Sequence, residues 1–278
     1  MKAALPTGMV QIEAPVLEHR RIAKDHYLMR LKSPLIAQRA KPGQFIHVRC
    51  GDADFPLLRR PLSLLDLDAG AGTIVLIYKV VGLGTAVLSG ITVGSKVDVL
   101  GPLGHPFKIP GNLKSAYLVG GGVGIPPLYL LAKHLKKTNG CEITVFLGAR
   151  TKEWVICAPD FKKLGVIVHT ATDDGSTGYR GSVVDLLRER LQSERPDSGT
   201  TLLYICGPTP MMAAAAKAAR TAKIPAQVSL EERMGCAIGC CWGCVVEIAT
   251  EPHTSHSRFQ RVCTEGPVFS AEELVWER

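Results

Sequence analysis

Four cysteines near the end of this 278-residue chain constrain its fold more than any other feature. Cys236, Cys241 and Cys244 follow a C-x4-C-x2-C pattern, and Cys263 comes later, on a separate segment. This is the plant-type spacing for a [2Fe–2S] cluster, in which three thiolates lie on one tight loop and a fourth closes the cage. Glycine, which tolerates unusual backbone angles, recurs through the loop at Gly235, Gly239 and Gly243.

A structural zinc ion is the alternative occupant, since four thiolates also suit tetrahedral zinc. Zinc sites more often show two C-x2-C pairs, whereas Cys263 has no cysteine near it in sequence, so the pattern favours the cluster. Cys240 is surplus, because only Cys241 satisfies both spacings, and we expect Cys240 to be a bystander. The remaining cysteines lie in apolar stretches, as reduced cysteines of cytoplasmic proteins do: Cys50, Cys141, Cys157 and Cys206.

A glycine-rich loop follows an apolar strand and opens a helix. Its residues are Gly120, Gly121, Gly122, Val123, Gly124, Ile125, Pro126 and Pro127. Glycines let the backbone approach a pyrophosphate, and the amides at a helix N-terminus attract anions. A second segment follows a predicted parallel strand, where open α/β sheets bind ligands, and supplies Cys206, Gly207, Pro208 and Met211. Together they predict a binding site for a ligand that carries a pyrophosphate.

Short strands and turns fill the first hundred residues and predict a small antiparallel β-barrel. From Ser115 onward, strands alternate with helices, which predicts a doubly wound α/β domain. We expect residues 227–230 to form the last strand of that sheet. The predicted organisation is a barrel over 1–111, an α/β domain over 112–230 and a small cysteine-bearing domain over 231–278.

The barrel carries candidate ligand-binding residues of its own. They are Arg60, Pro61, Leu62 and Ser63, then Ile77, Tyr78 and Lys79, and finally Gly84 and Thr85. Arginine can grip a diphosphate with two parallel hydrogen bonds, and a Gly-Thr pair at a helix start offers amide and hydroxyl donors. By itself the Arg-Pro-x-Ser motif is weak, because a solvated arginine beside a turn is common.

Composition excludes several other classes of protein. The formal net charge is +8, yet the chain has no long Lys/Arg run and only 6% aromatic residues, which argues against nucleic-acid binding. Two uncharged stretches, 116–132 and 198–216, are interrupted by glycine and proline and do not resemble spanning helices. No secretory signal is visible at the N-terminus, so we expect a cytoplasmic protein.

In sequence and order, these motifs resemble the ferredoxin–NADP⁺ reductase superfamily. The chain is most similar to the iron–sulfur electron-transfer subunits of class 1B, NAD-dependent dihydroorotate dehydrogenases. The resemblance rests on residues 60–63, 79–85, 122–127, 172–176 and 206–212, and above all on the tail from Glu232 through the cysteines to Phe269. It covers essentially the whole chain.

The resemblance implies FAD on the barrel, a nicotinamide nucleotide on the α/β domain and a [2Fe–2S] cluster in the tail. Arg60 would hold an FAD phosphate, Gly84 and Thr85 the pyrophosphate, and Cys206 would lie near the nicotinamide. The resemblance also implies a separate FMN-containing subunit, which oxidises dihydroorotate in pyrimidine (UMP) biosynthesis. Two copies of each chain would form a heterotetramer. No acid–base catalytic residue is expected, since the cofactors carry the chemistry.

Two other functions stay open at the level of sequence. One is another oxidoreductase of the same architecture, such as the flavin subunit of a sulfhydrogenase or of a ferredoxin–NADP transhydrogenase. The other is a non-catalytic nucleotide-binding module whose cysteines hold zinc. The residues do not settle NAD against NADP, because no single acidic or basic residue can be assigned to the ribose.

Overall fold

The computed structural model describes residues 8–51, 55–249 and 258–276. Its first part is a closed barrel with strand order β1-β2-β5-β4-β3-β6, in which all paired strands are antiparallel. The strands are β1 (Val10–Ala23), β2 (His26–Lys32), β3 (Phe45–Val48), β4 (Arg60–Asp68), β5 (Thr73–Lys79) and β6 (Lys96–Leu103). Two short helices, α1 (Pro34–Arg39) and α2 (Leu83–Ser89), lie between strands. The predicted antiparallel barrel is confirmed.

Alternation along β5 shows how the barrel binds to the rest of the chain. Ile74, Leu76 and Tyr78 point inward and belong to the core of the barrel. Val75 and Ile77, on the opposite face, are also buried, because they pack into the core of the α/β domain. A strand buried on both faces therefore holds the two domains together.

The second part is built on parallel strands. They are β7 (Ser115–Gly121), β8 (Glu142–Ala149), β9 (Ile167–Thr172), β10 (Tyr179–Arg180), β11 (Thr201–Cys206) and β12 (Ala226–Ser229). The helices are α3 (Ile125–Thr138), α4 (Ala158–Lys163), α5 (Val183–Glu194) and α6 (Thr209–Thr221), with short 3₁₀ turns at Gly122–Gly124 and Lys152–Trp154. The sheet order is β10-β9-β8-β7-β11-β12, extended by one further strand. In the described ranges, every helix is too short or too polar to cross a membrane.

The last strand of this sheet comes from the tail. β13 (Val245–Glu247) and β14 (Phe259–Arg261) form a small hairpin, while β15 (Val268–Ser270) pairs antiparallel with β12. The expectation that residues 227–230 end the sheet is therefore wrong. Without β15, the edge of β12 would expose a row of unpaired backbone groups. The backbone of β15 pairs with these groups, and its Phe269 side chain is buried.

Three contacts bring the barrel, the α/β domain and the tail around one space. Lys133 on α3 forms an ion pair of 2.6 Å with Asp66 on β4. The amide of His105, just after β6, donates to the carbonyl oxygen of Gly266 in the tail at 2.6 Å. The amide of Leu230, after β12, donates to Pro267 at 2.9 Å. The end of β12 and the tail segment around Pro267 thus meet beside the barrel.

Candidate cofactor sites

A cleft of about 790 Å³ opens where the three parts meet. Its volume lies in the range of about 300–1,000 Å³ that is typical of ligand and cofactor sites. Ten residues that the sequence had singled out line it: Arg60, Pro61, Leu62, Ser63, Ile77, Tyr78, Lys79, Thr85, Gly124 and Cys206. The structure therefore brings the barrel motifs and the α/β motifs to a single place.

Two consecutive arginines at the start of β4 have different roles. Arg59 also lines the cleft, but it forms an ion pair with the Asp98 carboxylate and donates to the Asp98 carbonyl oxygen at 3.0 Å, so its charge is already paired. Arg60 donates only to the backbone carbonyl oxygens of Leu58 and Arg59, at 2.6 and 3.2 Å. No carboxylate of the described residues pairs with it. An uncompensated guanidinium in a cleft fits an anionic ligand such as a diphosphate.

Gly84 and Thr85 lie beside Arg60, but they act differently from what their motif suggested. A Cβ atom on Gly84 would stand only 2.6 Å from Arg60 Nε, so glycine is what lets the guanidinium lie against α2. The Thr85 hydroxyl accepts from the amide of Val81 at 2.9 Å and donates to the carbonyl oxygen of Gly82 at 3.0 Å. Because the hydroxyl already has partners within the chain, Thr85 would shape the site rather than donate to a ligand.

The end of β5 is held by aromatic contacts. Lys79 Nζ lies 4.1 Å from the centre of the Trp154 ring, which joins the barrel to the α/β domain. His19 Nδ1 lies 2.7 Å from the carbonyl oxygen of Ile91, and its Nε2 lies 2.8 Å from the Tyr78 hydroxyl. Burial raises the pKa of Tyr78, which therefore stays neutral and keeps this hydrogen bond.

Most of the loop glycines are needed for packing inside the protein. A Cβ on Gly124 would stand 2.5 Å from the backbone nitrogen of Gly207, and closer still to the carbonyl group of Cys206. One on Gly121 would meet the Met211 sulfur at 2.6 Å. Only Gly122, with a φ of +55°, points into open space. The structure therefore separates one glycine that can face a ligand from others that let α3 pack against the loop after β11.

The start of α3 nevertheless suits an anion. No side chain caps this helix, and its first turn carries no acidic residue. Pro126 and Pro127 have no N–H and the Ile125 amide donates to Gly122, so the positive end of the helix dipole, and not the amides of this turn, would attract a pyrophosphate. The other predicted residues of the two nucleotide motifs do not line the cleft: Gly120, Gly121, Gly122, Pro126, Gly207, Pro208 and Met211.

Beside Cys206 the structure adds residues that carried no motif. Ser229 and Glu231 line the same cleft. Burial raises the pKa of Cys206 to about 12, with Glu231 adding to the effect while a hydrogen bond with Ser229 opposes it, so this thiol is neutral at pH 7. Burial, reinforced by Glu232, also raises the pKa of Glu231. Ser229 ends β12 and Glu231 follows it, and only their position in the fold reveals them.

The four predicted cluster cysteines form two contacting pairs in the tail. Cys236 forms a side-chain hydrogen bond with Cys241, and Cys263 forms one with Cys244 and is in electrostatic contact with Cys236. The amides of Cys240 and Cys241 point at the Cys236 sulfur, at 3.3 and 3.4 Å. Cys240 and Cys241 are both exposed, and the Cys241 side chain contacts that of Cys236.

A strained backbone shapes this loop. Ala237, Gly239 and Trp242 have φ values of +59°, +84° and +54°, and only glycine adopts such angles easily. The turns aim amide groups at the sulfurs, as in other anion-binding loops. Burial raises the pKa of Cys236, but hydrogen bonds from backbone amides, including those of Ile238 and Cys241, outweigh it and lower the pKa to about 7. Soft thiolates backed by amides are the donors an iron–sulfur cluster requires.

Three segments of the chain match known protein families. Residues 13–107 match the oxidoreductase FAD-binding domain, and residues 118–217 match the oxidoreductase NAD-binding domain. Residues 231–275 match the iron–sulfur cluster binding domain of dihydroorotate dehydrogenase B. The chain is thus an oxidoreductase with FAD-, NAD- and cluster-binding domains.

Solved structures share this architecture. A chain of the NADH-dependent reduced ferredoxin–NADP oxidoreductase, described in connection with flavin-based electron bifurcation, is 33% identical, with a TM-score of 0.83 over 95% of this chain and 90% of that one. The cytochrome b5 reductase domain of Ulva prolifera nitrate reductase is 20% identical, with a TM-score of 0.64 over 77% of this chain and 93% of that one, and shows likeness of fold alone.

Full-length relatives give the family. The dihydroorotate dehydrogenase B (NAD(+)) electron transfer subunit of Desulforamulus reducens is 40% identical, covering 95% of this chain and 98% of that protein. The subunit of the same name from Geobacillus thermodenitrificans is 42% identical, covering 94% and 96%. Three domains in the expected order, a cysteine tail with the cluster spacing and this identity over nearly the whole length agree: the chain belongs to the family of dihydroorotate dehydrogenase B (NAD(+)) electron transfer subunits.

Proposed function

We propose that this chain relays electrons between NAD⁺ and a catalytic partner that oxidises dihydroorotate, in the biosynthesis of pyrimidines. The observation that carries the proposal is the convergence of the Arg60 motif, the glycine loop before α3 and the tail at one cleft. When bound, FAD exchanges two electrons with a nicotinamide and single electrons with an iron–sulfur cluster. The chain itself supplies binding, orientation and exclusion of water.

We assign one cofactor to each segment of the chain. Residues 1–111 would hold FAD, residues 112–230 the nicotinamide nucleotide and residues 231–278 the cluster. Arg60 would bind the FAD diphosphate, with Gly84 making room for its guanidinium. The pyrophosphate of the nucleotide would lie at the uncapped, positive end of the α3 dipole, beside Gly122. The neutral Cys206 thiol would pack against the nicotinamide, as its position in the cleft supports.

Replacing Arg60 with alanine should weaken FAD binding by about tenfold to a hundredfold, because a charge-assisted contact to phosphate contributes ~1.5–3 kcal/mol. The fold should survive, since Arg60 pairs with no carboxylate of the described residues and its hydrogen bonds go only to neighbouring carbonyls. Fluorescence titration of FAD-depleted protein measures the affinity.

Arg59→Ala is the matched control. It removes the ion pair with Asp98 and should lower the melting temperature of the FAD-depleted protein more than Arg60→Ala does. An Arg60→Ala protein that binds FAD as tightly as the wild type would contradict the assigned role.

We further propose that the partner contains FMN and that two copies of each chain form a heterotetramer. The cluster end of the tail supports transfer to another protein, because Cys240, Cys241 and Trp242 are exposed there. A cluster under this loop would lie close to the molecular surface. The free thiols throughout the chain suit a reducing compartment, so we place the complex in the cytoplasm, where cell fractionation should find it.

The division of labour between the two proteins gives the direct test. The isolated chain, loaded with FAD and cluster, should pass electrons from NADH to an artificial dye but should not oxidise dihydroorotate. Co-expressed with the dihydroorotate-oxidising subunit from its native host, it should yield a complex that contains FMN and forms NADH from dihydroorotate and NAD⁺. Dihydroorotate oxidation by the chain alone would contradict the assignment as a subunit.

A second candidate is favoured by the structural similarity to the NADH-dependent reduced ferredoxin–NADP oxidoreductase. In that function the chain would exchange electrons with a ferredoxin-linked partner instead of a dihydroorotate-oxidising one. The same complex distinguishes the two. Reduction of ferredoxin or NADP⁺ by the copurified native complex, without any orotate formed, would support the second candidate.

A further inference from the structure

One arginine joins the two segments that carry the cluster cysteines. Arg261 lies at the end of β14, two positions before Cys263. Its Nη1 atom donates to the carbonyl oxygen of Gly239 at 2.8 Å, within the loop that holds the other three cysteines. The side chain therefore spans from the segment of the fourth ligand to the loop of the first three.

This guanidinium is fixed on every side. Nε and Nη2 donate to the two carboxylate oxygens of Glu265, at 3.0 and 2.5 Å. The Cζ atom of Arg261 lies 4.8 Å from the centre of the Trp242 ring, and this tryptophan is half exposed. Gly239 permits the contact, because its φ of +84° turns the carbonyl toward Arg261 and a Cβ there would stand 3.2 Å from Nη1. A guanidinium group with this many partners has little freedom to move.

The charge of the guanidinium also acts on the sulfurs. Arg261 is in electrostatic contact with Cys263 and Cys244, the two buried cysteines of the site. Glu265 receives its side-chain hydrogen bonds from Arg261 and Thr264, so its negative charge is held by these groups. A fixed positive charge near a cluster stabilises the form that has gained an electron, because that form is more negative.

We propose that Arg261 is a positioning residue for the cluster, one that braces the cysteine loop and raises the reduction potential of the cluster, with Glu265 limiting the effect. The proposal rests on the proposed cluster site. It adds a residue that is not itself a ligand but sets how readily the cluster accepts an electron.

The test is a redox titration of purified, cluster-loaded protein, followed by electron paramagnetic resonance. Arg261→Gln should lower the reduction potential, with the equilibrium constant for one-electron reduction falling about tenfold, or ~59 mV. Glu265→Gln should shift the potential in the opposite direction, because it leaves the arginine uncompensated. Arg261→Lys, which keeps the charge but loses the fork, should hold the potential near that of the wild type and lose its cluster faster.

Arg258→Gln is the matched control. Arg258 lies on the same hairpin and pairs with Glu247 at 2.5 Å, so its removal costs a charge without touching the cysteine loop. Its potential should equal that of the wild type. A purely structural role would move the Arg261→Gln and Glu265→Gln potentials in the same direction, or move neither beyond Arg258→Gln, and either result would overturn the proposal. A wild-type chain that binds no iron–sulfur cluster would instead overturn the proposed function.

Discussion

Replacing Cys244 with alanine should leave the protein without the electron paramagnetic resonance signal of a reduced [2Fe–2S] cluster. Cys244 is buried at 1% exposure and its side chain contacts that of Cys263, whereas the surplus Cys240 is exposed. Losing one of four ligands opens the cage, and we expect the signal to fall to background. The FAD spectrum should persist, because the flavin motifs lie on the barrel. Spectra of anaerobically purified protein provide the measurement.

Cys240→Ala is the control for this experiment and should retain the full signal. The Cys240 side chain is exposed, and only its backbone amide contributes, by donating to the Cys236 sulfur at 3.3 Å. Alanine keeps that amide. Loss of the cluster in Cys240→Ala together with its survival in Cys241→Ala would show that the ligand is Cys240 and that the assigned spacing is wrong.

The cluster loop was predictable because its information is local. Three cysteines on one short loop must lie close together whatever the rest of the chain does, so their spacing alone indicates a site. The barrel and the parallel sheet were predictable for a related reason, since alternation and βαβ rhythm extend over many residues. The resemblance to the family predicts the order of the barrel, the α/β domain and the tail along the chain.

The edge of the sheet could not be predicted in this way. β15 has three residues, too few to show a period, and it joins the sheet only because β12 would otherwise have an open edge. The pairing of Gln227 with Ser270 depends on the path of the whole tail. A contact between such distant segments has no signature in either of them.

The sequence also could not show which residues of one motif are paired within the chain and which are available to a ligand. Arg59 and Arg60 are adjacent and chemically alike, yet Asp98, far away on β6, pairs with the first and leaves the second to the cleft. Thr85 was expected to donate to a phosphate, but its hydroxyl is satisfied by its own helix turn. Glu231 lacks any motif and reaches the cleft only through the path of the chain after β12.

In the glycine loop, a residue needed for packing can be distinguished by experiment from one that is available to a ligand. Gly124→Ala should destabilise the protein severely, because the new Cβ would collide with the backbone of Cys206 and Gly207, and backbone atoms cannot move aside as a side chain can. Overpacking of this kind costs about 3 kcal/mol or more. It should also displace the start of α3, so NADH should bind far more weakly or not at all.

Gly122→Ala is the matched comparison within the same loop. Its Cβ would point into open space, so the only cost is the left-handed φ of +55°, about 1–2 kcal/mol. The fold should survive, and a loss of NADH affinity in this variant would arise at the ligand and not in the core. Urea unfolding and NADH titration of both proteins separate the two effects. Equal loss of stability in the two variants would mean that α3 can shift away from β11, and that Gly124 is not required for their packing.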